Sequence, residues 1–216
     1  MNIENPHQRA APSQQRSQDK LDRLMDAATK LMNQRDLEDV RIADIAEAAG
    51  VSTGTVYQRF SGREDMLGAV ITAFTLDMEA RVRAAIDAAE PQGPMAVAEA
   101  LSHALVADYR ANRGLMKAAT RFWSGGATSG PVGSPIQMMA VQIGKHLLGS
   151  LQVHMAAFDV PNPERTISQG LQFMFGILMF EASTDAGPLR LDGPWIEEEL
   201  VQMFCRYTGL SLVNPL

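Results

Sequence analysis

The sequence has few of the residues that enzyme active sites and metal centres need. A single cysteine, Cys205, stands among 216 residues, which excludes an intrachain disulfide and a cysteine-based metal site. The four histidines, His7, His103, His146 and His154, include no pair spaced i, i+4, the spacing that two metal ligands need on one helix face. We therefore expect no catalytic residues, no metal and no cofactor.

Long apolar runs are also missing. No stretch approaches the roughly 18 consecutive apolar residues of a membrane-spanning helix. The first 17 residues are polar and do not form the charged head and apolar run of a secretory signal. A lone cysteine is ordinary in the reducing cytoplasm, so the sequence predicts a soluble, cytoplasmic protein without a membrane partner.

An excess of positive charge is absent as well. The chain has 19 Lys and Arg against 25 Asp and Glu, a net charge of −6, which at first argues against a nucleic-acid partner. Binding in a DNA groove depends on local charge, however, and residues 48–63 contain two arginines and no acid. With 46% hydrophobic residues, the chain is expected to be globular.

Residues 41–67 are the most informative segment, and they predict two short helices joined by a tight turn. The apolar residues of the first helix recur at helical spacing at Ile42, Ile45, Ala46 and Ala49. Gly50 tolerates the positive φ that often ends a helix, and Val51 is the apolar residue that follows it. The chain is expected to reverse its direction there.

The second helix should begin after Ser52, a good N-cap, and bury Val56 and Phe60. Its free side then carries Thr53, Gly54, Thr55, Tyr57, Gln58 and Arg59. Helix, turn with glycine and second helix with a polar face form the helix-turn-helix pattern, in which the second helix enters the DNA major groove. The pattern alone also fits an ordinary helical hairpin.

This segment resembles the TetR/AcrR family of bacterial transcriptional regulators. The resemblance is carried by Ile45-Ala46, Ala49-Gly50-Val51-Ser52, Gly54-Thr55, Tyr57, Phe60 and Arg63-Glu64-Asp65-Met66-Leu67. It departs from the family at Arg41, where a capping Thr is common, so a cationic contact is expected there. The predicted DNA-binding residues are Arg41, Ser52, Thr53, Gly54, Thr55, Tyr57, Gln58, Arg59 and Arg63.

The rest of the chain has helical periodicity, which predicts an all-α fold of about nine helices. A Ser-x-x-Glu capping box at Ser61 and Glu64 should start a long helix that ends near Ala89. Further helices are expected near residues 94–111, 113–123, 135–158, 163–184 and 194–208. The predicted domains are a flexible arm (1–17), the DNA-binding domain (18–67) and a ligand-binding and dimerisation domain (68–216).

The arm offers two interpretations. Arg9 and Arg16 are placed to reach a minor groove or flanking phosphates, as basic arms do in other DNA-binding folds. Because the charges are sparse, a solvated tail explains the segment at least as well.

The helix predicted over 163–184 has apolar residues on all its sides, so it must be buried on all its sides. A central position or a second subunit would achieve this, and the resemblance implies a homodimer through the last two long helices. The predicted interface residues are Phe173, Phe175, Gly176, Met179, Phe180, Trp195, Leu200, Met203, Phe204 and Tyr207.

The resemblance also implies an effector cavity in the second domain. Its predicted lining is Tyr109, Met116, Arg121, Phe122, Trp123, Met138, Met139, His146, Met155, Phe158 and Met174, with Arg121 as the partner for an anionic group. Methionine fills cores as well as ligand cavities, and the sequence does not separate the two.

Together these features predict a dimeric, sequence-specific regulator that binds an inverted-repeat operator in double-stranded DNA. It should act as a repressor that a largely apolar small molecule releases. Two other classes stay open at this point, namely a helical dimeric scaffold that does not bind DNA and a helical enzyme that uses the C-terminal cavity.

Overall fold

A computed structural model of the chain describes residues 12–124, 135–184 and 186–210. Within these residues the prediction of an all-α fold with nine helices is confirmed. The helices are α1 (Pro12–Gln34), α2 (Ile42–Ala49), α3 (Thr53–Tyr57), α4 (Arg63–Ala89), α5 (Pro94–Ala111), α6 (Arg113–Ser124), α7 (Pro135–Leu151), α8 (Pro163–Thr184) and α9 (Ile196–Thr208). Short 3₁₀ helices occupy Leu37–Asp39, Glu90–Gln92 and Gln152–Ala157.

Contacts between residues divide the chain into two compact units, with the division between Val70 and Ile71 inside α4. The predicted boundary, after residue 67, also lies in α4. In the first unit α2 packs against both α1 and α3. The fully or nearly fully buried side chains of this unit include Leu24, Ala28, Met32, Val40, Ile45, Ala46 and Val56.

The N-terminal arm is shorter than predicted, because α1 already begins at Pro12. Proline suits the first turn of a helix, where its missing N–H has no intrahelical partner. The exposed side chains of Gln15 and Gln18 donate hydrogen bonds to Asp19 (3.0 Å) and Asp22 (2.8 Å), one turn further on. These i, i+4 bonds stabilise a helical start that has no apolar stripe. Arg16 is therefore helical, whereas Arg9 lies outside the described residues.

In the second unit, α8 packs against α6, α7 and α9, and α5 packs against α9. Helices α8 and α9 approach closely at Gly170, where a Cβ would lie only 2.9 Å from Cδ2 of Phe204. Side chains buried in this core include Leu101, Leu105, Tyr109, Ile143, Leu147, Met174, Leu178 and Leu200.

Helix α7 ends at Leu151, earlier than the predicted end near residue 158. Phe158 is extended (φ −100°, ψ 109°) and forms an isolated antiparallel bridge with Leu210. The N–H of Asp159 donates to the carbonyl of Gly209 (3.1 Å). An extended residue that pairs with a distant backbone segment cannot continue a helix, and the sequence pattern around residue 158 does not reveal that partner.

Arg110 holds the segment before α9 in place. Its guanidinium donates to the carbonyls of Leu191 (2.8 Å) and Gly193 (2.9 Å), and also to the carboxylate of Glu197. His103 Nδ1 lies 2.9 Å from the second oxygen of Glu197. Burial raises the pKa of Glu197, but hydrogen bonds from His103 and Arg110 outweigh that effect and hold the pKa below its usual value.

This geometry predicts a pH-dependent effect of Glu197→Gln. A carboxyl with a lowered folded-state pKa contributes stability above its unfolded pKa and loses it as the pH falls through the folded value. Because the side chain is about one-third exposed, we expect the variant to lose only about 1 kcal/mol of unfolding free energy at pH 7. Urea denaturation of parent and variant should then converge in acid.

Glu199→Gln is the matched control, since Glu199 is an exposed residue in the same first turn of α9. It removes the same charge near the helix N-terminus but not the bonds to Arg110 and His103. An equal loss in both variants, or a loss at Glu197 that persisted at low pH, would contradict the assigned role.

Candidate nucleic-acid interface

The turn between α2 and α3 is closed by Gly50, as the sequence predicts. Gly50 has φ 65° and ψ 39°, the left-handed conformation in which other residues are strained. Its N–H donates to the carbonyl of Glu47 (3.0 Å), and the N–H of Val51 donates to the carbonyl of Ala46 (3.0 Å). These two bonds form a Schellman motif that satisfies the last carbonyls of α2 and reverses the chain.

Ser52 caps α3, which confirms the predicted helix start. Its Oγ accepts a hydrogen bond from the N–H of Thr55 (3.3 Å), and the Oγ atoms of the two residues lie 3.1 Å apart. Val56 and Phe60 are buried, as predicted, and anchor the helix to the first unit. The orientation of α3 is thus determined by a cap at its start and two apolar side chains on its inner side.

The outward side of α3 is polar and open. Thr53, Gly54, Gln58 and Arg59 are exposed, and Thr55 is half-buried because its hydroxyl meets Ser52. Tyr57 is 60% exposed. An exposed tyrosine beside small polar residues suits contacts with phosphates and base edges.

Arg59 has a partner that the sequence does not reveal. Its guanidinium donates to the backbone carbonyl of Ser17 in α1 (2.6 Å) and to the hydroxyl of the same residue. The two residues lie far apart in the chain, and neither belongs to a motif that would link them. The contact places the start of α1 beside the outward side of α3.

Arg63 occupies a different environment from the one expected for a phosphate contact. Its guanidinium donates to the carbonyls of Val40 (2.8 Å) and Leu37, so it ties the start of α4 to the segment before α2. The side chain is half-buried. Its charge therefore satisfies backbone carbonyls of the first unit, which sequence spacing could not show.

The capping interaction at the start of α4 also differs from the prediction. Helix α4 begins at Arg63, and the carboxylate of Asp65 accepts from both the N–H (2.8 Å) and the hydroxyl (3.1 Å) of Ser61. Glu64 is exposed. A capping box with Ser61 as the N-cap requires a helix that begins at Gly62, so that Glu64 is its third residue. Helix α4 begins one residue later, at Arg63, and its third residue is Asp65.

Arg41 precedes α2 in an extended conformation and makes no side-chain cap. Its side chain is exposed. The absence of the cap that a Thr would supply agrees with the expectation for this position, and the charge is open to solvent.

The predicted effector residues fall into three groups. Buried side chains are those of Tyr109, Met116, Phe122, Met139, Phe158 and Met174. His146 and Met155 are half-buried, while Arg121 and Met138 are exposed; the Trp123 side chain lies outside the described part of the chain. One enclosed cavity lined by the whole set is therefore not evident, and the set stays a prediction.

Among the predicted effector residues, Tyr109 and His146 differ in the hydrogen bonding of their polar groups. Burial raises the pKa of Tyr109, so its phenol is neutral at physiological pH. The hydroxyl is buried and has no hydrogen-bond partner among the described residues. His146, by contrast, meets Asp87 at 2.6 Å.

The predicted interface residues divide into a buried and an exposed set. Phe175, Leu200 and Phe204 are buried within the protomer, so they cannot also offer contact surface to a partner, which corrects their assignment. The exposed residues are Phe173, Gly176, Phe180, Trp195 and Tyr207, and the half-buried ones are Met179 and Met203.

Four of the exposed residues share one surface, which we call the α8–α9 face: Phe173, Gly176, Phe180 and Tyr207. Positions 173, 176 and 180 follow one another at helical spacing on α8. The ring of Phe173 packs edge-on against that of Tyr207, with centroids 4.9 Å apart. The Tyr207 hydroxyl donates to Gln169 (2.9 Å), which fixes the aromatic pair on the surface.

Among the described residues, no group of three or more His, Cys, Asp or Glu side chains is arranged to hold a metal ion. No helix in the same part of the chain is both long and apolar enough to cross a membrane.

Comparison with known sequences supports the geometric interpretation of the first unit. Residues 24–70 match the model of the bacterial regulatory proteins of the tetR family. The chain is 33% identical over 60 residues to the HTH-type transcriptional repressor KstR2 of Rhodococcus jostii, an alignment that covers 28% of this chain and 29% of that protein. It is 40% identical over 72 residues to an uncharacterized HTH-type transcriptional regulator of Mycobacterium tuberculosis, covering 32% of this chain and 35% of that protein. The matches thus span about a third of these relatives.

Solved structures share the fold over a much longer part of the chain. A transcriptional regulator from Rhodococcus sp. Rha1 superposes with a TM-score of 0.64 at 17% identity, covering 90% of this chain and 98% of that one. RolR in complex with resorcinol superposes with a TM-score of 0.57 at 22% identity, covering 92% and 91%.

The first unit is therefore a helix-turn-helix domain of the DNA-binding class, followed by a helical second unit. The domain formed by residues 24–70 is thus of the tetR family of bacterial regulatory proteins.

The Schellman turn leads to a prediction for Gly50→Ala. The nearest atom to a Cβ at Gly50 is Nη1 of Arg23 at 4.0 Å, so the substitution is limited by backbone conformation and not by space. A left-handed alanine should lower the free energy of unfolding by about 1–2 kcal/mol. Gly62→Ala is the control, because a Cβ there meets no atom within 4 Å. Equal stability of the two variants in urea denaturation would contradict this account.

Proposed function

We propose that this protein is a DNA-binding transcriptional repressor that inserts α3 into the major groove of its operator. The observation that carries the proposal is the open polar side of α3, held by the Gly50 turn and the Ser52 cap within a segment that matches the TetR family. The named function of KstR2 as a repressor supports the direction of regulation.

The residues of α3 and those just before and after it divide between two proposed roles. Thr53, Gln58 and Arg59 read base edges, with Arg59 able to donate two parallel bonds to a guanine. Tyr57 positions the helix against phosphates, as do the polar groups of the first turn at Ser52, Gly54 and Thr55. Arg41 adds a charge before α2.

Arg59 connects base contact with α1. The guanidinium of Arg59 bonds to Ser17. To reach a base it must exchange those bonds for bonds to DNA, which frees the start of α1. This exchange makes the contact of Arg59 sensitive to the position of α1.

Arg63 is not retained as a phosphate contact. A guanidinium that already donates to two backbone carbonyls would have to leave them unsatisfied to reach DNA. Its proposed role is to hold the start of α4 against the segment before α2. Removing it should affect stability first and DNA binding only as a consequence.

The proposed assembly is a homodimer formed by the α8–α9 face. A two-fold dimer presents two recognition helices, so its operator should be an inverted repeat with half-sites about 34 Å apart or a multiple of that. The exposed aromatic residues of this face support the proposal, because exposed apolar side chains grouped on one surface mark interaction sites.

Release from DNA is proposed to follow from a small, largely apolar effector bound by the second unit. An effector that prefers the arrangement unable to bind DNA weakens operator binding, and by linkage operator DNA weakens effector binding equally. The resorcinol complex of RolR supports the idea that a protein of this fold holds a small ligand. The proposed location is the cytoplasm, where bacterial operators lie.

The match of residues 24–70 to the tetR family does not favour a scaffold without DNA binding or a helical enzyme. Neither alternative explains the open polar side of α3. The DNA experiment below distinguishes the regulator from both.

The first test is operator selection. Purified protein should enrich inverted-repeat fragments from a bacterial genome library. Arg59→Ala should then weaken binding to the selected operator by about 1–3 kcal/mol and relax selection at one position per half-site. Fluorescence anisotropy titrations at several salt concentrations measure both effects.

Arg83→Ala is the control because it removes the same charge from α4 in the second unit, where Arg83 pairs with Glu79. It should leave operator affinity nearly unchanged. Failure to enrich any sequence, or equal losses in the two variants, would overturn the assignment of α3.

The second test concerns assembly. Phe180 is 52% exposed, so Phe180→Arg should leave the protomer folded but place a charge in the proposed interface, shifting sedimentation from dimer to monomer. Val153→Arg, at an 80% exposed apolar position outside the α8–α9 face, is the matched control and should stay dimeric.

A third substitution checks the division between core and surface. Phe204 is only 1% exposed, so Phe204→Arg should unfold the second unit, which circular dichroism would detect.

A folded monomer from the unmodified chain at micromolar concentration would contradict the proposed dimer.

A further inference from the structure

A groove of about 470 Å³ runs between α7 and α8. Its walls are apolar and come from Val141 and Leu148 on α7 and from Leu171 and Phe175 on α8. Gly144 also lines the groove, and a Cβ there would meet Cδ2 of Leu171 at 3.5 Å. The volume falls within the range of about 300–1,000 Å³ that small-molecule sites occupy.

One cation, Lys145, lines this groove, and no carboxylate does. Helix α7 contains no acidic residue, and the acids of α8 are Glu164 and Glu181, near its two ends. Lys145 makes no ion pair with a described residue, whereas Arg35, Arg81 and Arg110 each meet a carboxylate. In a chain of net charge −6, an apolar groove with a lone ammonium group requires an explanation.

Charge complementarity identifies the class of ligand. An apolar body would displace water from the exposed Val141 and the half-buried Leu148, while a carboxylate would meet the ammonium of Lys145. The exposed amide of Gln172 lies in the same lining and can donate to the second carboxylate oxygen. A cationic ligand would be repelled, and a neutral one would leave Lys145 unpaired.

We propose that this groove binds an apolar carboxylate of the size of a medium-chain fatty acid or an aromatic acid. None of the predicted effector residues lines the groove, so it is a site that the sequence did not indicate. Its use as an effector site rests on the function proposed above, whereas binding itself does not.

The test measures decanoate binding to the full-length protein by isothermal titration calorimetry, with 1-decanol as the neutral analogue. We expect saturable binding of one decanoate per protomer and at least about tenfold weaker binding of decanol, a difference equal to one charge-assisted contact. Lys145→Gln should weaken decanoate to the level of decanol and leave decanol unchanged.

A pair of variants at Val141 controls for shape. This side chain is 54% exposed, so polar replacements should not disturb folding. Val141→Glu places a carboxylate one turn before Lys145, where it pairs with the ammonium and repels the ligand, and should weaken decanoate about tenfold. Val141→Gln has nearly the same shape without the charge and should retain most of the affinity.

Equal binding of decanoate and decanol, or equal effects of the two Val141 variants, would overturn the proposal. Absence of decanoate binding would also overturn the proposal. If Val141→Glu in addition changed the sedimentation of the protein, a second copy of the chain would be the occupant of the groove. Operator titrations with and without decanoate separate the two proposals. Decanoate binding by a protein that selects no DNA would refute the repressor and not the groove, whereas operator binding without decanoate binding would refute only the groove.

Discussion

The left-handed turn at Gly50 is the constraint on which the DNA-binding unit depends. Gly50, with φ 65°, allows two hydrogen bonds to form at the end of α2 and the chain to reverse its direction. The reversal places Ser52 at the N-cap of α3. The short α3 would be marginal in isolation, since brief helices lose more conformational entropy than their few bonds return. It persists because the turn fixes its start and Val56 and Phe60 bury its inner side. The same arrangement leaves its polar side open.

The two arginines that follow α3 show how similar charges acquire different roles. Arg59 is exposed and bonds to Ser17, a partner that water or a phosphate could replace at little cost. Arg63 is half-buried and bonds to carbonyls that would lose their partner if it moved. Burial and the nature of the partner, and not the charge itself, separate a DNA contact from a structural anchor.

In the second unit, α8 serves as core and surface at the same time. Phe204 of α9 packs against α8 at Gly170, which permits the close approach of the two helices. Phe175, further along α8, is also buried. Phe173 and Phe180, on the outward side, stay exposed. A helix that is apolar on all sides must be covered on all sides, and the protomer covers only part of this one. This division supports both the dimer proposal and the choice of surface variants to test it.

The amino-acid sequence by itself determined the helices, the Gly50 turn, the Ser52 cap and the inward direction of Val56 and Phe60, because each depends on periodicity or on bonds between near neighbours. Tertiary structure alone decided the partners of Arg59 and Arg63, the early end of α7 and the place of Lys145 in a groove. It also decided which phenylalanines of α8 are core and which are surface. Those outcomes depend on segments far apart in the chain, and local spacing has no information about which distant backbone or side chain will lie beside a residue once the helices pack.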